Sequence, residues 1–337
     1  MTMDRHSLPS HKLLTHLKFL YFSLSHFAPL RMAGHPEKPL HPTPEQTPYG
    51  YYVLRGACII FLLCFGITTT LHIIQGIYHR GARFMLWTAV LCGLGELIGW
   101  GGRLWSANDP AAGDAFLMQI ATTIISPTFL VAANFIILGR VIHLVGPQFS
   151  RLTPAMYSKV FLTADFLALV IQAIGGASAS MSKTPEGGAQ GAKIMLVGIG
   201  IQFAALSIYA VLAAEFLLRV HLDRPLRPVN FKDRNFIDSK LKAMIIGLII
   251  SAFFLFTRTI YRTIELTDGW NGSIIRNQQL FNWLDGMPIT VAMFTLNFLH
   301  PGRLVYNKDR AEPDNMPIPL KSSRLSSREE LAPYGQA

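Results

Sequence analysis

Charged residues are scarce in this chain. Asp, Glu, Lys and Arg supply 15% of its 337 residues, against about a quarter in soluble domains. Half of the residues are apolar, so a water-facing globular exterior is excluded and a bilayer is the fitting solvent. Cysteine is nearly absent. Cys58, Cys64 and Cys92 all fall inside apolar runs, where neither a CxxC metal site nor an outer disulfide can form, and are expected to be buried, inert thiols. No GxxxxGK[ST] string occurs, and the glycine-rich Gly187 to Lys193 lacks the closing Ser or Thr, which excludes an ATP-driven pump of P-loop type. A retinal protein needs a lysine in its last helix, and residues 280–300 contain none. No fixed-period repeat is present, which removes a solenoid and an obvious inverted-repeat transporter. The formal charge is +10, but the basic residues sit in short segments between apolar runs. That pattern points to a membrane and not to nucleic acid.

A spanning helix needs about 20 mostly apolar residues. Seven windows meet this requirement: 53–78, 84–105, 117–142, 158–180, 193–218, 241–264 and 280–300. The expected fold is all-α, an integral membrane bundle of seven transmembrane helices over residues 49–305. Basic residues orient it. The first, third and fifth loops hold Arg80, Arg83, Arg140, Arg151, Lys159, Arg219, Arg224, Arg227, Lys232, Arg234, Lys240 and Lys242; the other three hold Lys183, Lys193 and Arg276. Twelve against three places the odd loops in the cytosol, the amino terminus outside and the carboxyl terminus in the cytosol. Residues 1–48 then form a largely disordered outer tail, whose basic stretch from Lys12 to Leu30 is not a clean signal peptide, and Met32 is an alternative start. Residues 306–337, rich in serine, form a disordered cytosolic tail open to phosphorylation. The sequon at Asn271 falls in an outer loop and is a glycosylation candidate.

Charges at bilayer depth cost several kcal/mol, roughly 2.5–3.5 on insertion scales, so each invites an explanation. Glu96 and Arg103 lie seven residues apart in the second window, on one helical face, beside the GxxxG step of Gly95 and Gly99. Asp165 and Gln172 repeat that spacing in the fourth window. Arg258, Arg262 and Glu265 stand at i, i+4 and i+7 in the sixth, with Tyr261 adjacent, and the seventh holds Asp285. Two readings compete. In one, these side chains line an outer polar cavity able to hold a charged lipid headgroup; in the other, they are interhelical ion pairs that fix the bundle. Pro127 is expected to kink the third helix. Asn134 and Gln202 are expected to make interhelical hydrogen bonds. His72 and His300 are expected to be interfacial, and with His143 they sit at helix ends and do not complete a metal set, so neither a metal nor a cofactor is expected and an enzyme is disfavoured.

These strings resemble one family. Glu96-x-x-Gly99-Trp100-x-x-Arg103, Pro127 to Gly139-Arg140, Asp165 through Gln172 to Gly175-Gly176, Arg258-x-x-Tyr261-Arg262-x-x-Glu265, then Asp285 and His300-Pro301-Gly302 are similar, in order, to the fungal lipid-translocating exporter family, also called RTA-like or aminocholesterol-resistance. The chain departs from that pattern at Gln278 and Asn282, where a Glu and an aromatic are usual, and at Trp100, where a tyrosine is. The resemblance implies a fungal, stress-resistance membrane protein that exports or translocates sphingoid long-chain bases or related amphiphiles. Its partners would be membrane lipids and an amphiphilic small molecule, with a homo-oligomer compatible. Its location would be the plasma membrane, with endoplasmic reticulum or vacuole as alternatives. The rival reading is a seven-helix receptor or stress sensor that regulates lipid transport. No Asp-Arg-Tyr follows the third window and no NPxxY ends the seventh.

Overall fold

The computed structural model describes residues 43–182, 184–227, 238–269 and 272–306. Residues 1–42 and 307–337 of the expected tails, and Asn271, Lys183, Lys232 and Arg234, lie outside these residues; within the first tail Pro44–Gln46 forms a 3₁₀ turn. Among the described residues there is no strand. The helices are α1 (Arg55–Tyr78), α2 (Ala89–Asn108), α3 (Gly113–Val145), α4 (Pro154–Met181), α5 (Pro185–His221) and α6 (Ser239–Asp268). Each of the six belongs to a helical segment long and apolar enough to cross a membrane. The seventh window is helical but is not one regular helix. α7 (Gln278–Phe281) runs into a π turn (Asn282–Gly286) and on into α8 (Met287–Phe298), and a short α9 (Pro301–Leu304) follows. From Gln278 to Phe298 the path is about 30 Å, the thickness of the hydrocarbon core.

Local sequence sets the boundaries. Proline opens α4, α5 and α9, where its missing N–H costs nothing. Gly146 (φ +134°) and Gly269 (φ +83°) end α3 and α6 in backbone that side chains avoid. Asp238 and Asn277 cap α6 and α7 by accepting from the backbone N–H groups of the first turn. α2 starts later than the second window, because Arg80–Leu86 forms a 3₁₀ stretch instead. α3 continues through the buried Pro127 to Val145.

α3 is the most buried of the long helices and packs on α2, α4 and α6, while α8 contacts both α1 and α6 and so closes the ring. The α4–α5 seam is drawn tight by small residues: an added Cβ at Gly175 would collide with the α5 backbone at Gly191 and Met195. The exterior is apolar. Ile60, Leu63, Ile67 and Ile74 on α1, Phe166, Leu167 and Ile174 on α4, and Ile246, Ile249 and Phe253 on α6 all face outward. Such a continuous apolar surface is unstable in water and matched to lipid tails. The chain is an integral multi-pass membrane protein.

The two ends differ in character. At the odd-loop end, Arg151 pairs with Glu215 at 2.6 Å, Arg140 lies over the Tyr306 ring at 5.4 Å, and the His79 and His300 rings stand 5.3 Å apart. At the opposite end, Tyr49 packs edge-on against Phe116 at 4.9 Å and meets Ser106 at 3.4 Å.

Candidate functional site

An ion-pair ladder joins α6 to the π turn. Arg262 grips Asp285 with two hydrogen bonds, Nε to Oδ1 at 2.6 Å and Nη2 to Oδ2 at 2.8 Å, and donates from Nη1 to Glu265 at 2.8 Å. Two parallel bonds between planar groups make the strongest form of this pair. Arg258 Nε stands 3.0 Å from the same Asp285 Oδ1, and its Nη2 donates to the carbonyl of Thr123 on α3. Tyr261 donates to the other oxygen of Glu265 at 2.9 Å, and Arg262 also reaches Thr123 Oγ1 at 3.0 Å. The helical positions 258, 262 and 265 share one face, as their spacing requires. The π turn is what swings Asp285 onto that face while Trp283 points outward.

Glu96 completes the set from α2. Ser126 Oγ on α3 donates to Glu96 Oε1 at 2.5 Å, whereas among the described residues Oε2 has no hydrogen-bond partner. Both Glu96 and Asp285 are 1% exposed. Two guanidinium groups are thus offset by Asp285 and Glu265, with Glu96 as a third carboxylate bonded to a hydroxyl. Gly286 lets the π turn approach α2 and α1 here, since a Cβ would press on Trp100 and Phe61.

Arg103 does not join the ladder. Its guanidinium sits among rings, 4.2 Å from Phe281, 5.1 Å from Tyr49 and 5.7 Å from both Tyr51 and Trp100, and donates to the Tyr51 hydroxyl at 2.6 Å. Cation–π attraction in a dry setting contributes about 2 kcal/mol and substitutes for a carboxylate. Phe281 also lies 5.1 Å from Arg262 and so links box and ladder. Burial pushes the Tyr49 hydroxyl up to about 12, which keeps it a neutral wall of the box.

Asp165 and Gln172 are also separate. Both bond Gln202 on α5, which in turn donates to Thr128 on α3, and among the described residues no bond joins them to the ladder. The nine expected residues therefore resolve into a ladder (Glu96, Arg258, Tyr261, Arg262, Glu265, Asp285), an aromatic box (Arg103) and a third cluster (Asp165, Gln172). The ladder fills its own space with side chains. Beside it, at Glu265, is only a cleft of about 10 Å³, room for a single water, lined by Ala192, Leu266, Gly269 and Ile275.

Thr123, Ser126 and Thr128 on α3, and Phe281, Tyr49 and Tyr51, were not marked by the sequence. Hydroxyls and rings in apolar spans carry no charge signal. Their i, i+3 and i+5 positions on the central helix are the clue that was present. Gln202 and Asn134 bond between helices as expected, Asn134 to Ser251 on α6 at 3.1 Å. His72 is not interfacial: it is buried between α1 and α8, with Nε2 3.2 Å from the Met293 carbonyl. His300 is buried too and caps α9 through Nδ1. Cys58 and Cys92 are buried, but Cys64 is only partly so. Among the described residues no three His, Cys, Asp or Glu side chains form a metal set.

The family model described as RTA1 like protein matches residues 89–308, from the first residue of α2 to beyond α9. The chain belongs to the RTA1-like family. It is 27% identical over 283 residues to the sphingoid long-chain base transporter RSB1 of Saccharomyces cerevisiae, covering 76% of this chain and 73% of that one. It is 26% identical over 206 residues to the yeast protein RTA1, with 60% and 62% covered. It is 25% identical over 277 residues to a protein named Probable lipid transporter atnI of Emericella nidulans, with 78% and 70% covered. No solved structure matches the chain. Within the RTA1-like match fall the whole ladder, Arg103, Trp100, Phe281 and the third cluster, whereas α1 and the Tyr49–Tyr51 segment precede it.

Proposed function

We propose that the chain exports or translocates an amphiphilic lipid of the sphingoid-base kind, and that it is a transporter and not an enzyme. The observation that carries this is a buried, nearly charge-balanced ladder built across α2, α3, α6 and the π turn inside a bundle with a lipid-facing exterior. Buried charge of this kind in a membrane marks substrate or ion pathways. The named activities of the yeast and Emericella relatives support the substrate class.

In this reading α7, the π turn and α8 form the seventh span, with the amino terminus outside and the carboxyl terminus in the cytosol, as the loop basic residues require. The odd-loop end is cytosolic, so the ladder and the aromatic box lie in the outer half. An amphiphile enters sideways from the bilayer, its headgroup exchanging into the Glu96–Asp285–Glu265 carboxylates against Arg258 and Arg262 while its tail stays in lipid. The Ser126-bound Glu96 is the carboxylate with a free oxygen, and so the first to meet an ammonium group. The plasma membrane is the proposed location. Expression in fungal cells challenged with a toxic long-chain base tests this. Wild type should release labelled base to the medium and restore growth; Glu96→Gln, present at the membrane in equal amount, should do neither. Growth restored without release of base would favour the sensor reading.

A further inference from the structure

The third cluster lies apart from the ladder, in the tight seam where α4 and α5 meet α3. Asp165 is 3% exposed, and among the described residues no Lys, Arg or His pairs with it; Gln202 is the side chain that bonds it. Its contrast is Asp285, which two arginines neutralise. Asp165 Oδ1 accepts from Gln202 Nε2 at 2.9 Å, and the same nitrogen donates to Thr128 Oγ1 at 2.9 Å. Gln202 Oε1 accepts from Gln172 Nε2 at 3.1 Å. Both bonds of the Gln202 amide nitrogen are thus used. Two buried acceptors remain without a donor: Asp165 Oδ2 and Gln172 Oε1. The cluster lacks one positive charge and donors for two oxygens. A buried carboxylate left so is costly, and such groups in membranes are paired or hold ions.

We propose that Asp165, Gln172, Gln202 and Thr128 form a binding site for one monovalent cation, a proton or an alkali ion. A single positive charge neutralises Asp165 and, placed among oxygens only, suits a hard cation. A divalent ion would need more carboxylates than the one present. The seam gives the site a mechanical consequence. Gly198 on α5 lies so close that an added Cβ would stand 2.7 Å from Gln172 Cγ and 2.7 Å from the Ala168 carbonyl. Occupancy therefore bears directly on how α5 sits against α4. Resting on the exporter reading, the site would couple lipid movement to a cation gradient, a source of energy for a chain that has no P-loop.

The binding claim is tested apart from transport. Purified protein in detergent is melted at fixed ionic strength, choline being replaced by sodium or potassium, at several pH values. Wild type should gain several degrees in Tm with one alkali ion, or with falling pH at constant salt, and these two arms separate the ion from the proton. Asp165→Asn, which needs no counter-charge, should lose that dependence. Gln172→Met should keep it with the half-maximal concentration raised about tenfold, and serves if the first variant does not fold. Equal responses in wild type and both variants would overturn the site and leave Asp165 a carboxylate satisfied by water. Proteoliposomes carrying a fluorescent sphingoid base then separate the two claims. A cation-dependent Tm without lipid movement would end the exporter reading and leave the site standing.

Discussion

Replacing Asp285 by Asn isolates the energetics of the ladder. Its carboxylate accepts two bonds from Arg262 and faces Arg258 Nε at 3.0 Å. The amide keeps the shape but removes the charge, which leaves Arg258 with no carboxylate at ion-pair distance and Arg262 with Glu265 alone. Breaking a buried pair on one side costs about 3–5 kcal/mol, because a guanidinium stays buried without compensation. At roughly 2–4 °C per kcal/mol for a large domain, the melting point should fall by on the order of 10 °C. Arg151 with Glu215 is the control: that pair is well exposed at Arg151, so Arg151→Ala should leave the melting point nearly unchanged. The assay is thermal unfolding in detergent, read by intrinsic fluorescence and size exclusion. Adding Arg258→Met to Asp285→Asn should recover part of the loss, since it removes the stranded charge. If Asp285→Asn melted with Arg151→Ala, or if the second change deepened the loss, the ladder would not be the electrostatic unit described here.

Three further outcomes follow from particular contacts. Gly175→Leu should destabilise by about 1–3 kcal/mol through overpacking against the α5 backbone, seen as a lowered melting point, whereas Gly101→Leu, at open space, should not. Phe281→Ala should loosen both Arg103 and Arg262 at a cost of about 3–5 kcal/mol, and Phe281→Tyr should restore most of it. A membrane-permeant maleimide should label Cys64 well ahead of the buried Cys58 and Cys92, as counted by mass spectrometry.

Six span positions could be read in the sequence because hydropathy over 20 residues and helix length obey the same constraint, the bilayer. Residues 258, 262 and 265 could likewise be placed on one face, because helical spacing is fixed. The π turn was not legible: nothing about Asn282 to Gly286 announces an extra residue, yet it decides where Asp285 points. Nor was the division into ladder, box and third cluster. Spacing within a helix says which residues share a face, but only packing says which neighbour that face meets. Arg103 shares a face with Glu96, and yet aromatic rings, not carboxylates, surround its guanidinium. His72 was misplaced for a related reason, since a position near a helix end is interfacial only when no neighbour covers it, and α8 does.

The central claim is that this chain itself moves a lipid through a route that needs Glu96. Purified wild type and Glu96→Gln, matched for melting point and orientation, should be reconstituted into liposomes carrying fluorescent sphingoid bases and, separately, phospholipids. Protein-dependent movement of the base across the bilayer that the substitution removes is the expected result. No movement of any lipid by folded wild type, or movement that Glu96→Gln leaves intact, would contradict it.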